Sequence, residues 1–417
     1  MSFLTTAART WLTRAAAPYR FTPENDELPD YGDCPGLGLY VHIPFCRSLC
    51  HFCPYCKERY TPEAAGAYTA ALLREIEMVG KVQPGRTRVG SLYFGGGTPA
   101  LLAAELGSMT AALRQYFDIT DGIGAELHPA DVNVPTLTRL RESGVTRISI
   151  GIQSFLPEFA RCLGRPAPHP ERLAEALAAV PFETVSMDFI FALPGQKFEH
   201  IRQDLDTAFA HGANHVAVYP FIEFAFTGSP VHAMPGAAKH RLLDELTEYC
   251  LSRGLIRDSI WTFARPGGHR YSSMTRDTFL GFGCSATTLL RDSFKINTFS
   301  VSAYIERIRS GKLPTSLTTR FTRRQRMVYY LFWRAYSTFV HRGDFRDFFG
   351  TELEREFGIE LRLARLLGFI TREPEGYRLT PRGAYYFHYF ENFYTLAYID
   401  KMWGIMRREA FPQGIER

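Results

Sequence analysis

Six short β-rich runs alternate with amphipathic helical segments between residues 37 and 223, and this alternation limits the fold more than any other feature of the sequence. Strands joined in succession by helices form a parallel sheet with right-handed crossovers. The pattern therefore predicts an α/β protein, built either as a partial barrel or as a doubly wound sheet. The predicted strands are 38–45, 89–96, 123–128, 146–153, 184–193 and 215–223, with helices at 62–80 and 198–212.

The stretches of unusual composition lie where these predicted strands end. Four closely spaced cysteines follow the first strand, and the later strands end in "GGGTP", "ELHP", "GIQSF" and "FALPGQ". The carboxyl ends of parallel strands lie on the face where β/α proteins build their active sites. Five such coincidences predict one active site on that face.

The cysteine loop has a spacing that favours an iron-sulfur cluster. Cys46, Cys50 and Cys53 form CxxxCxxC, and Cys56 follows. Structural zinc usually takes its ligands from two separated knuckles, whereas iron-sulfur clusters accept closely spaced thiolates from one loop. If three thiolates hold a 4Fe-4S cluster, one iron keeps an open position for a small molecule. The remaining cysteines are scattered, which argues against a disulfide framework and for a reducing compartment: Cys34, Cys162, Cys250 and Cys284.

Size and composition indicate an ordinary soluble protein. The chain has 417 residues, 46% hydrophobic and 22% charged, which suits two domains or one barrel with an accessory domain. The net charge of +5 is too small to indicate nucleic acid, and no apolar run is long enough for a membrane span. We expect a cytoplasmic monomer without nucleic-acid or membrane partners. Arginines in 318–336 indicate a solvated helix start, with a phosphate-binding patch as the alternative.

The two ends of the chain depart from the β/α pattern. The first 23 residues carry three arginines and no acid, which favours an amphipathic arm over a transit peptide. After residue 223 we expect a helix at 237–253, a Pro/Thr-rich link at 311–320, and a winged-helix-like domain with a hairpin around "EPEG". The aromatic segment 385–403 is predicted to be a helix that packs on the core or caps the active-site mouth. The predicted divisions are an arm at 1–36, a barrel domain with extension at 37–310, and a C-terminal domain at 311–417.

Motifs spread over most of the chain resemble one family. "YVHIPFC", "YFGGGTP", "SIGIQSF", "DFIFALPGQ", "FARP" and "GFGCSA" occur in the order found in the HemN-like branch of the radical S-adenosylmethionine (SAM) enzymes, which includes the oxygen-independent coproporphyrinogen oxidases. The resemblance implies a partial (β/α)6, TIM-like barrel with a mainly helical, winged-helix-like C-terminal domain. It also implies a 4Fe-4S cluster and two SAM molecules.

The resemblance assigns roles to individual residues. Cys46, Cys50 and Cys53 would bind the cluster, and Cys56, Glu126 and Gln153 are expected to take part in catalysis. Of the cofactor-binding residues, Gln153, Arg165 and Asp188 match the set for the second SAM, although each could instead be a barrel-end ion pair or cap. The full set of expected cofactor contacts is Tyr40, Phe52, Gly96, Gly97, Thr98, Glu126, Gln153, Arg165, Asp188, Ile222 and Thr287.

Two departures from the family pattern shape the functional expectation. Coproporphyrinogen oxidases carry a fourth cysteine two residues after the third, whereas Cys56 comes three after Cys53. The loop after "FARP" is shorter than in those oxidases and lacks the HNxxYW stretch of haem chaperones. The sequence therefore favours transfer of a SAM-derived carbon to an sp2 carbon of a natural-product-like small molecule, by methylation or cyclopropanation, with a flavodoxin or ferredoxin as electron donor. The alternatives are oxidative decarboxylation of a porphyrinogen, haem-degrading methyl transfer, and haem chaperoning without catalysis.

Overall fold

The fold is built on one large mixed sheet. The computed structural model describes residues 3–15, 19–23, 26–267, 277–395 and 399–416. In chain order the strands are β1 Arg20–Phe21, β2 Leu37–Ile43, β3 Phe45–Cys46, β4 Glu58–Arg59, β5 Thr87–Val89, β6 Leu92–Gly96, β7 Phe117–Ile119, β8 Ile123–Leu127, β9 Arg147–Gln153, β10 Thr184–Phe191, β11 His215–Pro220, β12 Ile256–Arg257, β13 Thr262–Ala264, β14 Thr278–Phe282, β15 Thr287–Leu289, β16 Ser293–Asn297, β17 Thr315–Arg320, β18 Phe339–His341, β19 Ile370–Glu373, β20 Gly376–Leu379 and β21 Ile415–Glu416.

The helices cover the sheet and form most of the C-terminal part. They are α1 Phe3–Thr13, α2 Pro62–Gly80, α3 Leu106–Tyr116, α4 Val134–Glu142, α5 Pro157–Cys162, α6 Pro170–Ala179, α7 Phe198–Ala210, α8 Gly236–Ser252, α9 Val301–Arg309, α10 Arg323–Tyr336, α11 Arg342–Phe349, α12 Leu353–Leu366, α13 Pro381–Tyr394 and α14 Asp400–Met406. Short 3₁₀ turns follow β6 and β8, at Pro99–Leu102 and Pro129–Asp131.

Six strands of the central sheet pair in parallel and in sequence order. They run β2-β6-β8-β9-β10-β11, and β14 adds a further parallel strand beside β2. Antiparallel strands extend both edges, as β13 and β12 beyond β11 and as β15, β16 and β17 beyond β14. Six parallel units with helical crossovers are what the sequence pattern predicts, and the partial barrel is confirmed. The carboxyl ends of the strands therefore meet on one face.

Helix α2 shows why the predicted boundaries are correct. Thr61 caps its start by accepting a hydrogen bond from the Ala64 amide at 3.2 Å, and Pro62 occupies the first turn, where a missing N–H costs nothing. Tyr68, Leu72 and Ile76 recur every four residues on the buried face. Because this apolar stripe needs the sheet to cover it, the helix packs where the sequence places it.

The sequence prediction misplaces two segments. The predicted strand 89–96 is divided at Gly90, because β5 leaves the central sheet and pairs with β7. The predicted link at 311–320 contains strand β17, which pairs antiparallel with β16 and is buried along Thr315–Thr319. Its threonines are β-branched and suit a strand, although their polar composition resembles a linker. This strand ties the start of the predicted C-terminal domain to the central sheet.

The C-terminal part has a second apolar core of its own. Met327 and Tyr330 of α10, Phe345 of α11, Leu353 of α12 and Tyr377 of β20 pack together. Strands β19 and β20 form the hairpin expected around "EPEG", and β18 completes a three-stranded sheet. The predicted helical segment 385–403 is described as α13 and α14, with residues 396–398 outside the described ranges. Within those ranges, none of the helices has the length and apolarity that crossing a membrane requires.

A buried carboxylate links α2 to three later parts of the chain: the turn after β14, the end of β16, and α9. Glu75 is 2% exposed and accepts hydrogen bonds from the Gly283 amide at 2.7 Å, the Asn297 amide group at 3.1 Å and the Tyr304 hydroxyl at 2.7 Å. Burial raises the pKa of Glu75 to about 7. Three donors depend on this one side chain because each is buried against it.

Replacing Glu75 tests how much these contacts contribute to the stability of the fold. Glu75→Ala leaves three buried donors without their acceptor, so we expect the free energy of unfolding to fall by about 3 kcal/mol or more. Urea unfolding followed by circular dichroism measures the change. Glu77→Ala on the same helix removes an exposed carboxylate paired with Lys81 and Arg74, and its cost should be much smaller, because water screens exposed ion pairs. Equal losses for the two variants would contradict the assignment.

Candidate active site

The cysteine loop lies at the carboxyl end of β2 and is closed at its base. Phe45 and Cys46 of β3 pair in parallel with Glu58 and Arg59 of β4. The Tyr60 amide donates to the Cys46 carbonyl at 2.9 Å. The loop between these strands carries Cys50 and Cys53, and all three thiols are free and half-buried. Three thiols on one anchored loop are thus presented at the active-site face.

Donors surround these three cysteines. Arg165 Nε donates to Cys50 Sγ at 3.0 Å, Thr98 Oγ1 to Cys46 Sγ at 3.8 Å, and Lys57 Nζ to the Cys53 carbonyl at 2.5 Å. Such donors stabilise anionic sulfur. Burial raises the pKa of the Cys46 thiol to about 11, so its thiolate form needs the positive charge of a metal. The donor set fits thiolate ligation of an iron-sulfur cluster.

The fourth cysteine of the loop belongs to a different cluster of side chains. Cys56 is buried, donates to the Phe299 carbonyl at 3.1 Å, and lies 3.8 Å from the Cys284 sulfur. In the described part of the chain, His42, Cys56 and Cys284 are the set whose potential ligand atoms all lie within 4.8 Å of one another. Cys46, Cys50 and Cys53 are not such a set, and a cluster does not require it because each of its thiolates binds a different iron.

Both ring nitrogens of His42 already have protein partners. The Cys56 carbonyl can only accept, so His42 Nε2 carries the proton and donates to it at 3.0 Å. His42 Nδ1 then accepts from the Tyr40 hydroxyl at 3.0 Å. Burial lowers the pKa of His42 to about 4, which keeps the ring neutral. The imidazole therefore joins the cysteine loop to Tyr40, and a mononuclear metal site would have to break one of these bonds. The catalytic role expected of Cys56 stays a prediction.

The glycines at the end of β6 leave no room for side chains. Gly96 has φ +118°, and a Cβ there would lie 2.6 Å from the His42 ring. A Cβ on Gly97 would lie 2.6 Å from the Phe45 carbonyl oxygen. Only glycine satisfies both constraints, so this backbone approaches the cysteine loop directly. The same segment can present its peptide groups to a cofactor bound beside that loop.

Two buried carboxylates lie on barrel strands β8 and β10, which flank β9 in the sheet. Glu126 on β8 accepts from the Gly96 amide at 3.0 Å and from the Tyr93 hydroxyl at 3.1 Å. Asp188 on β10 accepts from Ser149 at 2.7 Å and Ser186 at 3.0 Å. Desolvation raises the pKa of Glu126 to about 7, with the charge of Asp188 as a further cause, and burial raises that of Asp188 to about 6. An ammonium or ribose hydroxyl bound between them would relieve this cost.

Gln153 and Arg165 lie together beside the cysteine loop. Gln153 ends β9 with φ +68°, a conformation that costs a non-glycine residue energy and clusters at functional sites. Its side-chain amide and the Arg165 guanidinium both lie next to Gly151, whose carbonyl accepts from Arg165 at 3.1 Å. The guanidinium also lies over the Phe52 ring at 5.5 Å. Opposite Gln153, the register of β10 shifts around Asp188, as expected where a bulge re-aims a side chain.

Two of the expected contacts lie on other elements, and their roles stay predictions. Ile222 follows β11 and lines a cavity of about 500 Å³, together with Lys239 and Asp400. Thr287 begins β15 and pairs with Ile296. The segment after "FARP", used above as a family departure, falls mainly on residues 268–276 and lies outside the described residues.

Sequence reasoning missed three residues of the site. His42 and Tyr93 lie inside recognised motifs, so the only available signal was their position on strands that enter the site. Tyr93 holds Glu126, and its ring stacks beside Tyr40 with centroids 6.4 Å apart. Tyr55 stands between two cysteines and carries no sequence signal beyond that position.

Comparison with known proteins agrees with this geometry. Residues 40–208 match the model of the radical SAM superfamily. The chain is 27% identical over 384 residues to an oxygen-independent coproporphyrinogen III oxidase of Paracoccus denitrificans, with 83% of each protein covered. It is 26% identical over 363 residues to the haem chaperone HemW of Bacillus subtilis, covering 82% of this chain and 95% of that protein.

A solved structure shares the fold. The coproporphyrinogen III oxidase HemN of Escherichia coli, described as a radical SAM enzyme, superposes with a TM-score of 0.74 at 22% identity, covering 91% of this chain and 96% of the other. The radical SAM domain and these relatives support the expected resemblance to the HemN-like branch of the radical SAM enzymes. A radical SAM enzyme uses a 4Fe-4S cluster and SAM, so both expected cofactors are confirmed. These relatives are named as an oxidase and a chaperone, and methyl transfer by this HemN-like enzyme stays a prediction.

The raised pKa of Glu126 predicts a pH-dependent stability in the cofactor-free enzyme. Because the folded protein binds this proton more tightly than the unfolded chain, the stability from Glu126 is greatest at pH 4 and falls as the pH rises toward 7. Glu126→Gln should reduce the fall between pH 4 and pH 8 by up to about 3 kcal/mol, less what water in the open barrel screens. Urea unfolding across this range measures it. Glu142→Gln, at an exposed position, should keep the wild-type slope, and an equal slope in all three proteins would refute the prediction.

Proposed function

We propose that this HemN-like enzyme oxidatively decarboxylates propionate side chains of a porphyrinogen-type substrate. The observation that carries the proposal is similarity to an oxygen-independent coproporphyrinogen III oxidase across 83% of both chains, in a structure with the cysteine loop, glycine backbone and paired carboxylates on one face. Each decarboxylation removes one hydrogen atom and one electron from the propionate, releases CO2 and leaves a vinyl group. A one-electron acceptor must take that electron.

The residues of the site divide into three roles. Cys46, Cys50 and Cys53 would hold the cluster, with Arg165 and Thr98 donating toward the cysteine sulfurs. When bound, the cluster and SAM supply a one-electron route to hydrogen-atom abstraction from an unactivated carbon. The chain's own residues bind and orient these groups.

The polar residues fit the parts of SAM. Glu126 and Asp188 accept hydrogen bonds and suit an ammonium or ribose hydroxyls, while the backbone at Gly96 and Gly97 lies flush beside the cysteine loop. Gln153 and Arg165 suit a carboxylate, because guanidinium and amide groups donate in pairs. We assign Gln153, Arg165 and Asp188 to a second SAM, and a flavodoxin or ferredoxin to the supply of electrons.

Methyl transfer to an sp2 carbon is the second candidate, and one observation favours it. The fourth cysteine of the oxidases is expected two residues after the third, where this chain has Tyr55. Cys56 itself is buried against Cys284 and Phe299. A residue that differs from the oxidases at this point of the loop favours a substrate that differs from theirs.

Isotope labelling separates the candidates. The enzyme is reconstituted without oxygen and given a reductant, coproporphyrinogen III and SAM with a deuterated methyl group. Decarboxylation should yield CO2, a vinyl product and 5'-deoxyadenosine without deuterium, because the hydrogen comes from the substrate. Mass spectrometry of the small molecules measures all three.

Other outcomes assign the protein elsewhere. Deuterium in 5'-deoxyadenosine together with S-adenosylhomocysteine would reject decarboxylation and support activation of the SAM methyl group. Stoichiometric haem binding with no 5'-deoxyadenosine under any condition would support a haem chaperone instead.

The cluster ligands have their own test. Changing Cys46, Cys50 or Cys53 to Ala should lower iron and sulfide per chain and abolish SAM cleavage, because each thiolate binds a separate iron. Cys34→Ala, a half-buried cysteine outside the loop, is the matched control and should keep both. Full cleavage activity in any of the three loop variants would remove that residue from the ligand set.

A further inference from the structure

Two consecutive residues of the cysteine loop have opposite environments. Cys56 is 5% exposed and faces the core, whereas the preceding Tyr55 is 48% exposed. Tyr55 occupies the position two residues after Cys53, where related oxidases are expected to carry a cysteine. The residue that takes the fourth cysteine's place in this chain is thus an aromatic hydroxyl.

Tyr55 lies close to the residues proposed to hold the cofactors. Its hydroxyl is within electrostatic reach of Cys53, Glu126 and Asp188. Tyr40, whose hydroxyl bonds His42, is within the same reach of Tyr55. These neighbours come from the cysteine loop and from strands β2, β8 and β10, so the ring borders the space that the proposed cofactor residues enclose.

The C-terminal helix holds Tyr55 in place. The Trp403 ring of α14 packs against the Tyr55 ring with centroids 6.0 Å apart and planes inclined by 49°. Arg407, directly after that helix, donates to the carbonyl of Pro54 at 2.5 Å and stands over the Phe226 ring at 4.8 Å. The Tyr55 ring is therefore held by Trp403, and the residue before it is held by Arg407.

We infer that Tyr55 contacts the acceptor substrate and donates a hydrogen bond from its hydroxyl to a substrate carboxylate. The inference rests on the proposed function, in which the acceptor carries propionates. A phenol is protonated at neutral pH and can donate to a carboxylate without adding a charge to a site that already holds carboxylates. Tyr55 thus selects for a carboxylate-bearing acceptor.

Binding measurements test the inference on the enzyme loaded with cluster and SAM. The probes are coproporphyrin III, which carries four propionates, and its tetramethyl ester, which carries no anion. Quenching of tryptophan fluorescence reports their binding, because Trp403 lies beside Tyr55. Tyr55→Phe removes only the hydroxyl and should weaken the acid about tenfold or more while leaving the ester unchanged. Tyr60→Phe is the control, since that ring packs edge-on to Phe45.

The outcomes separate this inference from the proposed function. Acid binding that depends on Tyr55, without CO2 release from coproporphyrinogen III, would keep the contact and reject decarboxylation. CO2 release with equal acid binding in wild type and Tyr55→Phe would reject the contact and keep the function. Failure of the wild type to bind the acid would reject the contact, and it would reject the proposed function only together with absence of CO2 release from coproporphyrinogen III. Iron content must match wild type in every variant, and Tyr55→Trp, which keeps a ring with a donor, should restore part of the binding if Tyr55→Phe is weak.

Discussion

The active-site face depends on the buried ring of His42. Its Nε2 holds the cysteine loop through the Cys56 carbonyl, and its Nδ1 fixes the hydroxyl of Tyr40. Its own carbonyl accepts from Tyr68 of α2 at 2.7 Å, and the Tyr68 hydroxyl accepts from the Cys284 amide at 3.0 Å. His42 therefore connects four parts of the fold: the cysteine loop, β2, α2 and the turn after β14. The ring also explains why position 96 is glycine, since a side chain there would overlap it.

Burial makes the negative charges of Glu126 and Asp188 costly, and a cationic ligand would offset that cost. The charge of Asp188 helps to raise the pKa of Glu126, and each carboxylate is held by neutral donors rather than by a cation. Protein groups with strongly shifted pKa values collect at functional sites because burial and like charges are arranged there. A cationic amine or sulfonium arriving with the cofactor would supply the missing positive charge. The positive φ of Gln153 is a second energetic cost to the folded protein, and strained residues of this kind cluster at functional sites.

The sequence predicted the barrel better than the details around its active-site face. The strands were predictable because buried apolar runs such as Leu37–Ile43 must be covered on both faces. Strand β17 was not, because its threonines are polar and their burial follows from pairing with β16. The opposite facing of Tyr55 and Cys56 was not predictable either, since it depends on Trp403 and Cys284, far away in the chain. Local sequence gives periodicity, whereas such contacts are set by tertiary packing.

The contact between Arg407 and Pro54 joins positions 353 residues apart. Contacts of such long sequence separation form late, because the chain must first lose the entropy of closing the intervening loop. During synthesis the cysteine loop emerges long before α14 exists. The loop can therefore take up its β3–β4 pairing before α14 is made. Docking of α14 then fixes Pro54 and Tyr55 as a late event in folding.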